Sequence, residues 1–474
     1  MTPSRSTPEP LEPAEREQYR STLDALYRRR RFGLRPGLEV IQQLLAGLGN
    51  PERRYPSIHI TGSKGKGSVA RIAQEVLTHQ GLRTGRFVSP HLASYRERIV
   101  LDGGPISERE TVAGLARVEA VAAQLERSGG IEHAPTFFEA TTALALDWFA
   151  REHVEVAVIE VGIGGRLDAT NVLDSKVGVI TTIELEHTDL LGSTRAAIAR
   201  EKSGIFHRGM TGVVGELPPD ALAGVESEAS RLGVPLWHLG GEVRVEDRTL
   251  SEDGQSFSLR WPGTRLDDSA IRLLGRFQPG NAALAVAAVA RFFYATGRTL
   301  DPAATRRALL AVTWPGRLER AGRRPDLYYD VAHTPESARA IAQSLAEIAP
   351  LADPAENAIV FGSLAGKDVV RILDGLSPLA RTLVVVPVRS ERGMPASEIR
   401  ALAVGRFPRI VEAPNATQGL RVGRAATGPD GFTLVIGSDY LIGELKRSAG
   451  EGADEPDLSD PGTTAVSARA GRSA

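Results

Sequence analysis

The chain has 474 residues, a formal net charge of −1 and no cysteine. That length asks for two folded units rather than one core. A near-zero net charge excludes a general nucleic-acid or membrane surface, and the missing thiols exclude disulfides, thiolate metal sites and a cysteine nucleophile. Residues 1–14 hold four prolines and no periodic pattern, so a disordered leader is expected there. They lack the apolar core of a secretory signal, and no apolar run reaches about 18 residues, so the expected location is the cytoplasm.

Helical patterns are predicted over 16–31 and 37–48, ending in Gly49-Asn-Pro51. A short β-like run (Ile58, Ile60) then meets Gly62-Ser-Lys-Gly-Lys-Gly-Ser68. An amphipathic helix follows, with Val69, Ile72, Ala73, Val76 and Leu77 on one face. Strand, glycine turn and helix together are how a backbone wraps a phosphate. Gly62, Gly65 and Gly67 let successive N–H groups point into one concavity, and the helix N-terminus favours negative charge. With Ser63 and Lys64 these residues would form an ATP-phosphate cradle. Lys66 would reach the β/γ-phosphates and the Ser68 hydroxyl would lie near magnesium. Gly67, standing between lysine and serine, departs from the usual G-x-x-x-x-G-K-[ST] spacing; this variant resembles the phosphate loop of the Mur ligase superfamily.

Further along, a second strand ends at Ser89-Pro-His91, and helices are predicted over 108–127 and 136–152. An apolar strand spans 154–161 and another spans 177–183. Strands alternating with helices predict a doubly wound, mostly parallel sheet whose ligands gather at the strands' C-terminal ends. Residues 241–275 switch to short alternating strands, a small antiparallel appendage. An alanine-rich helix over 281–295 follows, and Leu300-Asp-Pro302 reads as a linker. From Asp326 a second β/α series places strands at 326–331, 358–363, 382–387, 408–413 and 432–438, a Rossmann-like C-terminal unit. The expected division is a leader 1–14, a nucleotide-binding domain 15–298, a C-terminal domain 299–447 and a disordered tail 448–474.

Several short motifs sit at predicted strand ends: Ser89-Pro-His-Leu92 with Arg96-Glu-Arg98, Glu160-Val-Gly-Ile-Gly-Gly-Arg-Leu-Asp-Ala-Thr-Asn171, Glu186-His187, and Arg200-Glu-Lys-Ser-Gly-Ile205. Phe277-Gln-Pro-Gly-Asn281, Trp314-Pro-Gly-Arg317, Asp330-Val-Ala-His333 and Gly437-Ser-Asp-Tyr-Leu441 continue the series. In order and separation they resemble the dihydrofolate synthase/folylpolyglutamate synthase family over residues 20–447. The resemblance implies ATP-dependent ligation of L-glutamate to dihydropteroate, to folates or to both, through an acyl phosphate. It implies two Mg²⁺ ions, one held by Ser89 and Glu160 and the other by His187. It also implies that Lys202 carries CO2 as a carbamate supporting the second ion. Arg317 and Asp330 would close onto ATP from the second domain, Asn281 would contact adenine, and His333 and Ser438 would hold glutamate.

Plainer readings stand beside these. Glu160 could end in a surface ion pair, and Lys202 could be a solvated helix lysine. Arg98 is a candidate for gripping a substrate carboxylate or a solvated arginine. Gly162-x-Gly164-Gly165 lacks a dinucleotide spacing and reads as a tight loop or a ligand contact. A peptidoglycan Mur ligase is disfavoured because the phosphate loop begins only about 60 residues in, and a non-catalytic nucleotide-binding relic has no need of Lys66, Glu160, His187 and Lys202 together. Lys64, Glu186, Val331 and Thr334 depart from the family's common residues. Val331 is expected in ordinary β geometry, packed under its strand. A monomer acting on small molecules is expected, with residues 296–313 as the hinge between domains.

Overall fold

The computed structural model describes residues 11–29, 37–251, 253–349, 353–451 and 455. Two α-helices, α1 (Pro13–Arg28) and α2 (Glu39–Gly47), precede β1 (Ser57–Thr61), α3 (Lys66–His79) and β2 (Thr84–Phe87). Strands β3 (Ile99–Leu101) and β4 (Gly104–Pro105) lead to helices α4 (Glu108–Ser128) and α5 (Phe137–Arg151). After β5 (Val156–Glu160) and β6 (Val177–Ile180) come α6 (Thr188–Leu191), α7 (Arg195–Lys202), β7 (Thr211–Val214), α8 (Pro219–Leu232) and β8 (Leu236–His238). These strands form one eight-stranded sheet in the order β4-β3-β2-β5-β1-β6-β7-β8, parallel from β2 to β8 and antiparallel at the β3–β4 edge.

Strands β9 (Arg244–Ser251), β10 (Gly254–Trp261) and β11 (Thr264–Ile271) make the antiparallel appendage. Then come α9 (Gln278–Ala295) and α10 (Pro302–Ala311). The predicted face of α3 is fully buried, and α9, with its run of alanines, allows the sheet, α3 and the appendage to share one core. Small side chains permit that close approach on several sides at once.

The second unit contains β12 (Glu319–Gly322), β13 (Asp326–Asp330), α11 (Pro335–Ile348), β14 (Ala358–Phe361), α12 (Val369–Leu376) and β15 (Thr382–Val385). It ends with α13 (Ala396–Ala403), β16 (Arg409–Glu412), α14 (Ala416–Ala426), β17 (Phe432–Ile436) and α15 (Asp439–Ser448). Its six-stranded sheet runs β12-β13-β17-β14-β15-β16, antiparallel only between β12 and β13.

Three expectations need correction. Leu300-Asp-Pro302 is a helix start, not a linker: Asp301 accepts the Ala303 N–H at 2.8 Å and Pro302 takes the first turn of α10. Ala308, Leu309 and Val312 then join the first core. At the N-terminus, α1 begins inside the expected leader, where Glu12 and Glu15 form a reciprocal cap; residues 1–10 and the end of the 16–31 pattern lie outside the described residues. In the expected tail, Glu455 is anchored: its carboxylate accepts from Tyr19 Oη at 2.7 Å and from Ser94 Oγ and Tyr95 N at 2.5 Å. The rest of the tail beyond 451 lies outside the described residues.

Candidate active site

The C-terminal ends of β1, β5 and β6 meet at the glycine loop. Gly62 has φ +146°, and a Cβ there would stand 1.9 Å from Thr181 Oγ1. Gly65 caps α3 at φ +85°, with the space for its Cβ 2.7 Å from Asn281 Oδ1. No other residue fits either place. The loop is fastened to the segment after β6: Ser63 N–H donates to the Thr182 carbonyl at 2.8 Å, and Glu184 N–H donates to Ser63 Oγ at 2.9 Å. Lys64 N–H reaches Thr182 Oγ1 at 2.8 Å, and Thr181 Oγ1 donates to the Lys64 carbonyl at 2.5 Å. Lys66 folds back so that Nζ donates to the Gly62 carbonyl at 2.9 Å. Ser68 is buried in the first turn of α3, whose start carries no side-chain cap and so leaves its amides to an anion.

Glu160 ends β5 with only 4% exposure and accepts the Ser89 N–H at 3.2 Å. Burial pushes its carboxyl up, while Lys66, the Ser89 amide, Arg317 and Arg86 pull it down. A buried carboxylate ringed by cations is not a surface ion pair, so the plainer reading of Glu160 fails. Glu186 lies 3.2 Å from Lys202 Nζ and 3.7 Å from Lys64 Nζ. Burial pushes the Glu186 carboxyl up, but Lys202, Lys66, Lys64 and His187 outweigh it and hold it at about 2.

Lys202 is 2% exposed, which removes the solvated-lysine reading. Its burial and the neighbouring Lys66 charge lower it to about 8 against the pull of Glu186. His187, at φ +48°, opens α6 on the rim. Desolvation by the surrounding protein, with Lys202, Lys367 and Lys66, keeps its imidazole below the usual value, opposed by Glu186. Gly164 offers its carbonyl to Thr61 Oγ1 at 2.6 Å, and a Cβ on Gly165 would stand 2.6 Å from the Lys202 carbonyl. The Gly162–Gly165 turn is therefore a tight packing loop beneath the site.

No group of three or more His, Cys, Asp or Glu among the described residues could by itself enclose a metal. Magnesium takes most of its oxygens from water and phosphate and few from protein. The donors present, Glu160, Ser68, Ser89 and Glu186 beside a phosphate loop, suit it.

The second unit brings Arg317 close enough to Glu160 and Asp330 for its charge to be felt by both. Asp330 itself is occupied. Its Oδ2 accepts the Leu318 N–H and its Oδ1 the Ala332 N–H, each at 2.7 Å, and burial raises it to about 6. In this structure it orders the turn carrying Arg317. His333 Nδ1 lies 3.0 Å from the Val331 carbonyl, so that nitrogen is the donor. Burial, Lys367 and Lys64 hold the ring at about 4, neutral at pH 7. Ser438 is buried and caps α15, accepting the Tyr440 N–H at 3.1 Å. Asn281 donates Nδ2 to Gln278 Oε1 at 3.0 Å and lies against Gly65, behind the phosphate loop. Arg98 is not solvated: it is buried, donates Nε to His91 Nδ1 at 2.6 Å and lies over Phe137.

Lys367, after β14, escaped the sequence reading. Burial, Lys64 and Arg392 lower it, and it acts on both His187 and His333. Gly366-Lys367 at a strand's C-terminal end was the available signal.

Residues 60–289 match the Mur ligase middle domain, and residues 316–439 match the Mur ligase, glutamate ligase domain. The dihydrofolate synthase/folylpolyglutamate synthase of Mycobacterium tuberculosis is 40% identical over 384 residues, 78% of each chain. The folylpolyglutamate synthase of Lacticaseibacillus casei is 34% identical over 409 residues, 86% of this chain and 93% of that one. Among solved structures, Mycobacterium tuberculosis folylpolyglutamate synthase complexed with ADP superposes with a TM-score of 0.86 at 36% identity, covering 92% of this chain and 99% of that one. E. coli FolC in complex with DHPP and ADP gives 0.79 at 27% identity, covering 94% and 99%.

Proposed function

The chain belongs to the dihydrofolate synthase/folylpolyglutamate synthase family of the Mur ligases, and from that premise we propose how its own residues carry out the reaction. It is an ATP-dependent ligase that joins L-glutamate to a folate-type carboxylate. Within that activity we assign it both acceptors, dihydropteroate and folyl(poly)glutamate; relatives named for both activities support the assignment.

The γ-phosphoryl group of ATP passes to the acceptor's carboxylate, forming an acyl phosphate and ADP. The α-amine of glutamate then attacks the carbonyl carbon, the C–O bond to phosphate breaks, and inorganic phosphate leaves with the amine's proton lost to solvent. Two anions must meet in the first step, so their repulsion is the barrier the site has to lower. Lys66 and Arg317, from opposite units, supply positive charge to the transferring group. The loop amides and the start of α3 hold the remaining phosphates. When bound, Mg²⁺ would neutralise phosphate charge beside Glu160, Ser68 and Ser89, with His187 and a carbamylated Lys202 toward a second ion. Neutral His333 and the cation Lys367 line the side of the second unit, where glutamate would enter.

The observation that carries this reading is the buried Glu160 ringed by Lys66, Arg86 and Arg317 at the mouth of a glycine loop. No helix among the described residues is long and apolar enough to cross a membrane. We further propose a cytoplasmic monomer that serves small molecules rather than nucleic acid or membrane, a reading supported by the near-zero net charge. Lys66→Ala and Glu160→Ala should each abolish ligation while circular dichroism and Tm show a folded protein. Near wild-type turnover in either would sink the mechanism.

A further inference from the structure

One buried charge near Glu160 has a second neighbour that the chemistry above leaves unused. Arg86 lies within β2 at 5% exposure, and its Nε has no hydrogen-bond partner. Alternation along the strand turns Gly85 and Phe87 toward the α5 side and Arg86 toward α3. A guanidinium in such a place needs compensation. Part comes from the Glu160 charge, and part from Trp314, whose ring centre lies 4.9 Å from the guanidinium carbon.

Trp314 is placed by contact. Its indole Nε1 also lacks a partner, and Cζ2 stands 3.2 Å from where a Cβ on Gly67 would be. That same point is 3.5 Å from Glu160 Oε2. The ring therefore sits over the phosphate loop, beside the buried carboxylate. Arg71, on α3, reinforces the junction by donating Nε to the Thr313 carbonyl at 3.2 Å. Three residues after Trp314 the chain reaches Arg317.

We propose that Arg86 and Trp314 form a cation–π clasp that sets how closely Arg317 approaches the phosphate loop. Both are positioning residues, and the inference rests on the role given to Arg317 in ligation. The ring is held between a cation below and Gly67 beside it, so the start of the second unit is registered against the first. A side chain on Gly67, or a smaller residue than Trp314, would change that register.

Steady-state ligation by full-length variants tests the clasp. Trp314→Leu and Arg86→Met should each lower kcat about tenfold while KM for ATP changes less than about twofold, as expected when a group is displaced only in the transition state. Trp314→Phe keeps a ring over the guanidinium and should recover most of the lost kcat. The Arg86→Met/Trp314→Leu double variant should be no worse than the weaker single variant. Additive losses in the double variant, or Trp314→Phe as impaired as Trp314→Leu, would overturn the clasp. Should Arg86→Met fail to fold by Tm, the neutral, polar Arg86→Gln takes its place in the cycle with the same non-additivity expected. Arg317→Ala separates the two levels: undiminished ligation would overturn the reading of the site itself. An inactive Arg317→Ala beside fully active Arg86→Met and Trp314→Leu would overturn only the clasp.

Discussion

Lys202 illustrates how burial can prepare a side chain for unusual chemistry. Carbamylation by CO2 requires the neutral amine. A lysine lowered to about 8 is neutral in roughly a tenth of molecules at pH 7, some three-hundredfold more than one of ordinary pKa. In the structure its amine pairs with Glu186 at 3.2 Å, so a carbamate would put two anions side by side, offset by Lys64, Lys66 and magnesium. Reactivation of CO2-stripped enzyme, at one fixed concentration of dissolved CO2, should therefore quicken as pH rises toward 8 and slow below 7. Equal rates at pH 6 and pH 8.5 would contradict this. Lys202→Ala should be strongly impaired and partly rescued by a short carboxylic acid. The stability consequence has a definite sign. With the folded pKa below the unfolded one, the unfolded chain holds more protons between about 8 and 10.5, so the unmodified protein gains stability as pH rises through that window.

At the scale of elements, periodicity revealed most of what places the site. The buried face of α3, the parallel strands ending at Glu160 and the five parallel strands of the second sheet all followed from apolar spacing. Between 206 and 238, β7 and β8 are only four and three residues long, too short to show a period, although α8 carries a first-turn proline and a closing Gly233. Asp301-Pro302 reads as a linker by composition, but in the fold it is a cap followed by the first-turn proline of α10. Arg86 meets Trp314, and Lys367 meets His187 and His333, only through folding, and no spacing in the sequence links them.

Val331 stands just past the end of β13, half-buried against the apolar cluster that includes Leu327 and Val360, and donates its N–H to the Gly316 carbonyl at 3.1 Å. Val331→Gly should cost about 1–3 kcal/mol of stability through the lost apolar contact, leaving KM for glutamate little changed. A changed amino-acid preference would instead make Val331 a specificity residue. Gly65→Ala should weaken ADP binding, since its Cβ would collide with Asn281 and its φ is left-handed. Unaltered ADP affinity would show that the loop can relax.

For the whole molecule, the groups proposed to act in ligation are divided between two units. The phosphate loop, Glu160 and Lys202 belong to the first, while Arg317, His333 and Lys367 belong to the second. In the proposed mechanism Lys66 and Arg317 come from opposite units, so ligation should depend on their registration across residues 312–317. The Ser89–Arg98 loop is gripped from the second unit as well, since Arg447 Nη1 donates to the Leu92 carbonyl at 3.3 Å. The central claim is that the acceptor's carboxylate is itself phosphorylated. The direct measurement labels that carboxylate with ¹⁸O and analyses the phosphate released during ligation with ATP, magnesium and L-glutamate. An acyl phosphate requires one labelled oxygen to leave in each phosphate, in step with glutamylated product and ADP. Product formed with unlabelled phosphate, or phosphate released without need of the acceptor, would contradict the account.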